Sequence, residues 1–342
     1  MTTIRWLLGA VKTAYEDYAI GVKLDEKFSW KNVEYDWLSP LLKENTIRTQ
    51  KYVPENNLPL GLDLWKDELF INVPGFKLGV VSFLNYVNIS SVLKNLILKP
   101  YPSWKVILID ITSNGTLADN FPIASAIRVR VDECDRLWVM DSGFIGYLAI
   151  QVKLPTIYII DLNIYLLIKL HWFPISHLKD GSFFCVRTVY FHVGMQNRTR
   201  ALSIEPFHDY YFVGDRGPNG QSRVSFLDEK SNVLFYAQIN KDAVYCWNTE
   251  KRKEKPYNLN TQGVVDMNSD SLVFVNDLKV DRDGYLWVLS DRLPVFIYSK
   301  LNANQFNYRI LRGKVSELIA GTACEYKKMC KQGWSSDFAY PN

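Results

Sequence analysis

Bulky apolar triplets that contain an aromatic residue recur along the chain, and each follows a polar stretch rich in turn residues. A short apolar run after a polar turn is typical of the buried centre of a β-strand. Successive triplets lie roughly fifty residues apart, a period that indicates a propeller or another array of β-repeats. The five triplets are Leu69-Phe70-Ile71, Leu137-Trp138-Val139, Val189-Tyr190-Phe191, Leu234-Phe235-Tyr236 and Leu286-Trp287-Val288.

Two repeats, residues 127–141 and 276–290, match position by position in their apolar alternation. Each predicts a strand, a tight turn of the Asp/Gly type and a second strand. Three or four short antiparallel strands per repeat form a propeller blade. A β-sandwich or barrel is the alternative, and the even spacing argues against it. Further strands are expected at Thr156–Leu162, Asp242–Trp247 and Pro294–Leu301.

Composition is that of one packed domain. The chain has 342 residues, of which 48% are hydrophobic and 14% aromatic, without a linker rich in Gly, Ser or Pro. The net charge of +4 is spread without long runs, which gives little support to a nucleic-acid partner. Apolar stretches are too short or too charged to predict a membrane span.

Chemical motifs of enzymes are absent from the sequence. The four histidines and five cysteines have no metal-ligand spacing, and no nucleophile elbow, phosphate loop or dinucleotide fingerprint occurs. We therefore expect no metal and no cofactor. Disulfides and buried free thiols are both open for the cysteines, which are Cys134, Cys185, Cys246, Cys324 and Cys330.

Several longer motifs follow one another along the chain, among them Tyr52-Val-Pro-Glu-Asn-Asn-Leu-Pro-Leu-Gly61, Gly214-Asp-Arg-Gly217, Asn276-Asp-Leu-Lys-Val-Asp281 and the run 286–301. In these motifs the chain resembles the insect yellow / major royal jelly protein family. The resemblance implies an all-β, six-bladed β-propeller, of which five blades are recognisable here. It divides the chain into an N-terminal segment 1–27 with a degenerate signal region, a propeller domain 28–325 and a C-terminal tail 326–342.

The resemblance also implies a function. Members of the family are typically secreted, so we expect an extracellular protein that binds a small aromatic amine or a catechol-derived ligand in the pigment (melanin) pathway. A dopachrome-converting tautomerase is the first alternative, because such an enzyme needs only one general base and a polar cradle. A storage or interaction protein without a ligand is the second.

Candidate ligand-binding residues follow from the family's channel mouth. The resemblance places Asn276 there, with Phe274 packing on the ligand, although Asn276 could instead close a turn. Arg128, at the matching place in the second blade, and Asp141 are further candidates. Asp291-Arg292 is interpreted as a structural ion pair or turn.

The chain departs from the family pattern in two places that affect the fold. Only residues 175–188 stand where the family has a further blade, and Lys153-Leu154-Pro155 replaces the Cys-Pro-Pro that would supply a partner for Cys134. We therefore expect a disulfide between Cys246 and Cys324, with Cys134 free. In a secreted protein, three Asn-x-Ser/Thr triplets would be glycan acceptors, at Asn88, Asn114 and Asn197.

Overall fold

Short antiparallel strands make up most of the described chain. The computed structural model describes residues 24–90, 97–104, 123–146, 150–152, 154–164, 166–171, 188–192, 198–203, 211–215, 220–250 and 261–325, and between residues 165 and 219 it describes only the backbone of the strands. In these residues, four sheets of four or five strands and one sheet of three strands follow one another along the chain. We number them blades 1 to 5.

Each blade is a meander of consecutive strands. Blade 1 contains β3 (Gly61–Trp65), β4 (Glu68–Asn72), β5 (Leu84–Asn88) and β6 (Ile97–Pro100), with the short β2 (Glu34–Tyr35) parallel to β6. Blade 2 contains β7 (Ala126–Val131), β8 (Arg136–Asp141), β11 (Thr156–Asp161) and β12 (Leu166–His171). The loop between β8 and β11 carries the hairpin β9 (Phe144–Ile145) and β10 (Ile150–Gln151).

The remaining sheets lie in the second half of the chain. Blade 3 contains β13 (Thr188–His192), β14 (Arg198–Ser203) and β15 (Tyr211–Asp215). Blade 4 contains β16 (Ser225–Asp228), β17 (Val233–Gln238), β18 (Ala243–Asn248) and β19 (Gln262–Met267). Blade 5 contains β20 (Val275–Val280), β21 (Tyr285–Ser290) and β22 (Tyr308–Lys314) and is completed by β1 (Asp25–Trp30). The α-helices are α1 (Pro40–Arg48), α2 (Leu293–Tyr298) and α3 (Val315–Leu318), and 3-10 turns occur at Pro54–Asn56 and Ile239–Lys241.

The apolar triplets form the centres of these blades. Four of them lie on the second strand of a blade, in β4, β8, β17 and β21, and the fifth lies in β13 of the three-stranded sheet. Phe70, Phe235 and Trp287 are fully buried at the centres of their triplets. The innermost strand β3 lies beside β7 and β20, and β20 lies beside β16. The predicted all-β propeller is therefore confirmed.

The repeated Asp-turn-Leu-Trp pattern has a hydrogen-bonding cause. In blade 5, Asp281 accepts from the backbone N–H of Tyr285 at 2.8 Å and from the indole Nε1 of Trp287 at 2.7 Å. Asp132 of blade 2 accepts from the indole of Trp138 in the same way, at 2.7 Å. One carboxylate thus fixes both the turn and the aromatic residue of the triplet, which is why the two repeats share this spacing.

Carboxylates also join neighbouring blades. The innermost strand is an edge of its sheet, so some of its backbone N–H groups have no partner within the blade. Asp277 of β20 accepts from the N–H of Leu62 in β3 at 3.0 Å, and Asp63 of β3 accepts from the N–H of Val131 in β7 at 2.8 Å. These bonds fix blades 5, 1 and 2 relative to one another.

The first strand closes the last blade. β1 pairs with β22, and the backbone N–H of Leu24 donates to Asp266 at the end of β19, at 3.0 Å. Glu26 forms an ion pair with Arg309 of β22 at 3.0 Å. Because β1 begins at Asp25, the sheet begins before residue 28, the boundary that the sequence suggests.

One expected strand is a helix. The sequence predicts a strand over 294–301, whereas α2 begins at Leu293 and ends at Tyr298. Pro294 lacks a backbone N–H and fits the first turn of a helix, where no intrahelical bond would use that N–H. The carboxylate of Asp291 accepts from the N–H of Leu293 at 2.8 Å and starts the turn. The strands expected near 156–162 and 242–247 are present as β11 and β18.

The sulfur atoms of Cys246 and Cys324 form a disulfide, with the Cα atoms 6.1 Å apart. It ties β18 of blade 4 to the segment after α3, and both cysteines are fully buried. Gly263 on β19 is required beside it, because a Cβ atom there would lie 2.8 Å from the sulfur of Cys246 and 2.9 Å from that of Cys324.

Cys134 is exposed and free. Residues 154 and 155, in the segment that stands in place of the family's Cys-Pro-Pro, lie far from it along the blade. In the β8–β11 ladder, Thr156 pairs with Asp141 and Asp161 pairs with Arg136, so residue 154 and Cys134 lie at opposite ends of blade 2. No side chain at position 154 or 155 could reach Cys134, because the six-residue strands separate them.

Three further sequence expectations concern glycan acceptors, a missing blade and a membrane span. Asn88 ends β5 and is exposed, whereas Asn114 and Asn197 lie outside the described residues, as does the segment 175–187 where a blade is expected to be missing. Among the described residues, no helix is long and apolar enough to cross a membrane.

Replacing Cys324 by Ser should lower the free energy of unfolding by about 2–4 kcal/mol, because a disulfide that closes a long loop restricts the unfolded chain. Denaturant unfolding without reductant measures the change. Cys134→Ser is the matched control, since Cys134 is exposed and unbridged, and it should leave stability almost unchanged. Equal stability of the two variants would contradict the assignment.

Candidate functional site

Polar side chains converge at one end of the propeller, where β3, β7 and β20 begin and β4, β8 and β21 end. We call this end the upper mouth. Asn72 at the end of β4 donates from Nδ2 to the carbonyl of Ala126 at the start of β7, at 2.9 Å, which links blades 1 and 2 there. The turns that connect the same strand pairs lie at the opposite end, the lower mouth.

Below the upper mouth, side chains from four innermost strands meet on the axis. The Arg130 guanidinium lies 3.5 Å from the carboxylate of Asp63 and 4.5 Å from the centre of the Phe226 ring. Lys279 lies 6.0 Å from the same ring and forms an ion pair with Asp277 at 2.6 Å. These side chains join the innermost strands of blades 1, 2, 4 and 5 below the mouth.

Burial raises the pKa of Asp63, and the charges of Arg130 and Lys279 act in the opposite direction. Asp63 and Asp277 thus have cationic neighbours in addition to the backbone N–H groups that they accept from. Their role is in joining the blades.

Asn276 lies in a β-bulge at the start of β20. Val275 pairs with Ser290 and Asp277 pairs with Leu289, so Asn276 between them has no partner in the ladder. Its side chain is fully buried, and Nδ2 donates to Oδ2 of Asp291 at 2.6 Å. Oδ1 has no hydrogen-bond partner among the described residues. A buried, unpaired amide oxygen costs about 1–3 kcal/mol and calls for an explanation.

Asp291, which the sequence assigns to a structural ion pair or turn, forms the turn through Leu293 and also contacts Asn276. It follows β21, its carboxylate is buried, and it accepts from Asn276 and from the N–H of Leu293. Burial raises its pKa to about 7, while the two hydrogen bonds and the charges of Arg223 and Arg128 act in the opposite direction. A carboxyl group with a pKa near neutrality can bind or release a proton under physiological conditions.

Arg128 connects three blades at the upper mouth. From β7 it donates to the carbonyl of Leu60, next to β3, at 3.2 Å and to the carbonyl of Asn276 in β20 at 3.4 Å. The structure therefore brings Arg128 and Asn276 together, as the sequence suggests. Ile127, in the bulge between Ala126 and Arg128, is the residue equivalent to Asn276, as the alignment of 127–141 with 276–290 predicts, so Arg128 is equivalent to Asp277 and not to Asn276.

Phe274 lies immediately before β20 and is buried. Its carbonyl accepts from the N–H of Asp291 at 3.0 Å, and the Arg223 guanidinium lies 5.5 Å from the centre of its ring. One face of the ring thus already has a cation on it, which leaves less of Phe274 for a ligand than the sequence suggests.

Asp141 has a different surrounding. Its two carboxylate oxygens accept from the backbone N–H groups of Ala124, Ser125 and Gly143, each at 2.9 Å. This arrangement holds the loop before β7 against the end of β8. We therefore interpret Asp141 as a support of the upper mouth, and its role in ligand binding remains a prediction.

Among the described residues, no cluster of three His, Cys, Asp or Glu side chains could hold a metal ion. The mouth instead combines the buried acids Asp291 and Asp141, the buried amides of Asn276 and Asn72, and the guanidinium groups of Arg128 and Arg223. Such a set can hydrogen-bond a polar ligand and can exchange one proton with it.

Replacing Asp291 by Asn should change how stability depends on pH. The folded-state pKa of Asp291, about 7, lies above the ordinary value of an Asp, so between these two values the folded protein holds a proton that the unfolded chain has released. The contribution of Asp291 to the free energy of unfolding therefore falls by a few kcal/mol as pH rises from about 4 to about 7. Urea unfolding at about pH 5 and about pH 8 should show that Asp291→Asn gains stability relative to the wild type at the higher pH. A difference that is the same at both pH values would contradict this prediction.

Known relatives can be aligned with this chain over most of its length. Protein yellow of Drosophila subobscura is 27% identical over 397 aligned positions, which cover 89% of this chain and 68% of the relative. Protein yellow of Drosophila melanogaster is 26% identical over 417 positions, covering 94% and 74%. Because the second alignment is longer than the 342 residues of this chain, the relative carries residues that this chain lacks.

Among solved structures, the luciferin-regenerating enzyme is 12% identical with a TM-score of 0.33 over 78% of each chain, a likeness too weak to carry an argument. The family model described as Major royal jelly protein matches residues 124–201 and 184–324. This match spans more than half of the chain, and with the propeller fold it shows that the protein belongs to the major royal jelly protein family.

Proposed function

We propose that the protein binds a small aromatic amine or a catechol-derived ligand at the upper mouth, as a component of the pigment (melanin) pathway. The observation that carries the proposal is the buried Oδ1 of Asn276, which has no hydrogen-bond partner among the described residues. An oxygen of this kind accepts a hydrogen bond from an N–H or O–H group of a ligand. A bound donor would remove the cost of leaving it unpaired.

Charge at the mouth orients the ligand. Arg128 donates to the carbonyl of Asn276, and Arg223 lies over Phe274, so an ammonium group beside Oδ1 would face two like charges. A neutral donor, such as a catechol O–H or an indole N–H, avoids that repulsion. We therefore place the ring and its neutral donor inward and the ammonium group towards solvent, where water screens it.

We also propose that the protein is extracellular. The buried disulfide between Cys246 and Cys324 is of the kind that persists in oxidising compartments. The acceptor Asn88 is exposed at the end of β5, where a glycan would not collide with the sheet. Members of the family are typically secreted, which agrees with both observations.

A dopachrome-converting tautomerase is the second candidate, and one observation favours it. Tautomerisation needs a group that takes a proton from one ligand atom and returns it to another, and such a group works best with a pKa near the working pH. Burial gives Asp291 a pKa of about 7, and the residue lies next to Asn276.

Replacing Asn276 by Ala should weaken the binding of dopamine or serotonin by about 1–3 kcal/mol, measured by titration calorimetry. Because Nδ2 of Asn276 donates to Asp291, the variant should also lose some stability. Asn85→Ala is the matched control: Asn85 is equally buried, its Oδ1 also has no partner among the described residues, and it lies on β5, away from the axis.

Asn85→Ala should lose stability and keep its affinity. Equal loss of affinity in both variants would show that Asn276 acts only through the fold. Absence of heat with either amine in the wild-type protein would instead favour a storage or interaction protein without a ligand.

Replacing Asp291 by Asn should abolish any dopachrome conversion, since removal of a general acid or base costs about 10²–10⁴-fold in rate. The loss of dopachrome colour measures the rate in the wild type and in the variant. Wild-type protein that binds dopachrome without changing its colour would rule out the enzyme and leave the binding protein.

A further inference from the structure

We propose that Asn276 and Asp291 form a polarity selector, in which the protonation of Asp291 decides whether the amide offers an oxygen or an NH₂ group to the ligand. Above the transition the site takes aromatic ligands with N–H or O–H donors, and below it the site takes aromatic carbonyl compounds such as quinones. The inference rests on the proposed function, because it concerns the ligand of the same mouth.

The ionised state follows from the hydrogen bond between the two side chains. A carboxylate can only accept, so the amide must turn its nitrogen towards it. Nδ2 of Asn276 lies 2.6 Å from Oδ2 of Asp291, which leaves Oδ1 of Asn276 on the other side of the amide. That oxygen is buried and has no partner among the described residues, so it is the atom presented to a ligand.

Protonation of Asp291 reverses the hydrogen bond, so that Asp291 donates and Asn276 accepts. Oδ1 of Asp291 accepts from the N–H of Leu293 at 2.8 Å, so the proton belongs on Oδ2, the oxygen that faces Asn276. The carboxylic acid then donates to the amide oxygen after the amide turns over, and the NH₂ group takes the place of Oδ1. The oxygen and the NH₂ group of an amide are nearly equal in size, so this rotation of the Asn276 side chain requires no repacking.

Among the groups named here, Asp291 is the one that changes charge near neutral pH. The charged groups that act on it are the guanidinium groups of Arg223, before β16, and Arg128, on β7. Tyr308 on β22 faces it as well, and burial raises the pKa of that phenol well above its ordinary value. Burial raises the pKa of Asp291 itself to about 7.

The chemical consequence is a preference for one oxidation state of a ring. A catechol offers two O–H donors, whereas the quinone formed by loss of two electrons and two protons offers only carbonyl acceptors. The ionised pair matches the catechol and the protonated pair matches the quinone. A mismatched ligand would place two acceptors or two donors against each other in a buried site, which costs affinity.

The test uses two neutral probes that do not titrate near neutral pH. Indole has one N–H donor and no strong acceptor, and N-methylisatin has two carbonyl acceptors and no donor. Between about pH 5.5 and about pH 8.5 the affinity for indole should rise about thirtyfold and that for N-methylisatin should fall about thirtyfold, because the competent fraction of the protein sets the apparent affinity. Both curves should share a midpoint, the pH at which Asp291 is half ionised.

Variants separate the pair from other titrating groups. Asp291→Asn keeps the shape and removes the titration, so both pH profiles should become flat, and Asn276→Ala should flatten them as well. Glu68→Gln is the control, since burial also raises the pKa of Glu68 and this residue lies at the start of β4, at the lower mouth. It should leave both slopes in place.

Slopes of the same sign for the two probes, or opposite slopes that persist in Asp291→Asn, would overturn the inference and leave the binding site standing. Failure of both probes to bind the wild-type protein at any pH would reject the proposed function itself, and the selector with it. Circular dichroism of each variant at both ends of the pH range shows that the comparison is made on folded protein.

Discussion

The blades keep their places because buried carboxylates accept hydrogen bonds from the edge strand of the next blade. Asp277 accepts from the N–H of Leu62, and Asp63 accepts from the N–H of Val131. A carboxylate that accepts from one particular N–H fixes the offset between two innermost strands, which apolar contacts between sheets do less specifically. Lys279 lies 2.6 Å from Asp277 and Arg130 lies 3.5 Å from Asp63, so each of these buried carboxylates also has a cation beside it. The upper mouth depends on these offsets, since Arg128 can reach Leu60 and Asn276 only when β7, β3 and β20 are held together.

Asp291 stands apart from these structural acids. It too is buried, but its nearest hydrogen-bond partner is a neutral amide instead of a cation, and burial dominates its pKa. Ionising such a group in the folded protein costs free energy that a hydrophobic side chain would not cost. Buried acids with raised pKa values are concentrated at sites of binding and proton transfer. The cost is understandable if the mouth needs an acid that titrates near neutrality.

The sequence predicts the blades well because their signals are local. Each apolar triplet and the Asp turn before it lie within a few residues of each other, so the pattern shows them directly. The prediction of a strand over 294–301 was wrong, because this apolar run suits a strand or a helix equally. The helix forms because Pro294 fits its first turn and Asp291 accepts from the N–H of Leu293.

The site is harder to predict from the sequence, because its contacts join residues that are distant along the chain. The residue type of Asn276 indicates a polar contact, but its partner lies on the loop after the next strand, and the free oxygen follows only from that pairing. The meeting of Asp63, Arg130 and Phe226 on the axis depends on the register of three blades, which no local pattern encodes.

The bulge at the start of β20 has a consequence for how this family can diversify. Val275 and Asp277 keep their ladder partners whatever residue lies between them, and blade 2 has the same bulge with Ile127 in place of Asn276. One position in each of these two blades is thereby exempt from the alternation that the sheet imposes on its neighbours. Mutation there can alter what the mouth recognises while every strand stays in register, so new specificities can arise in a propeller without passing through a misfolded ancestor.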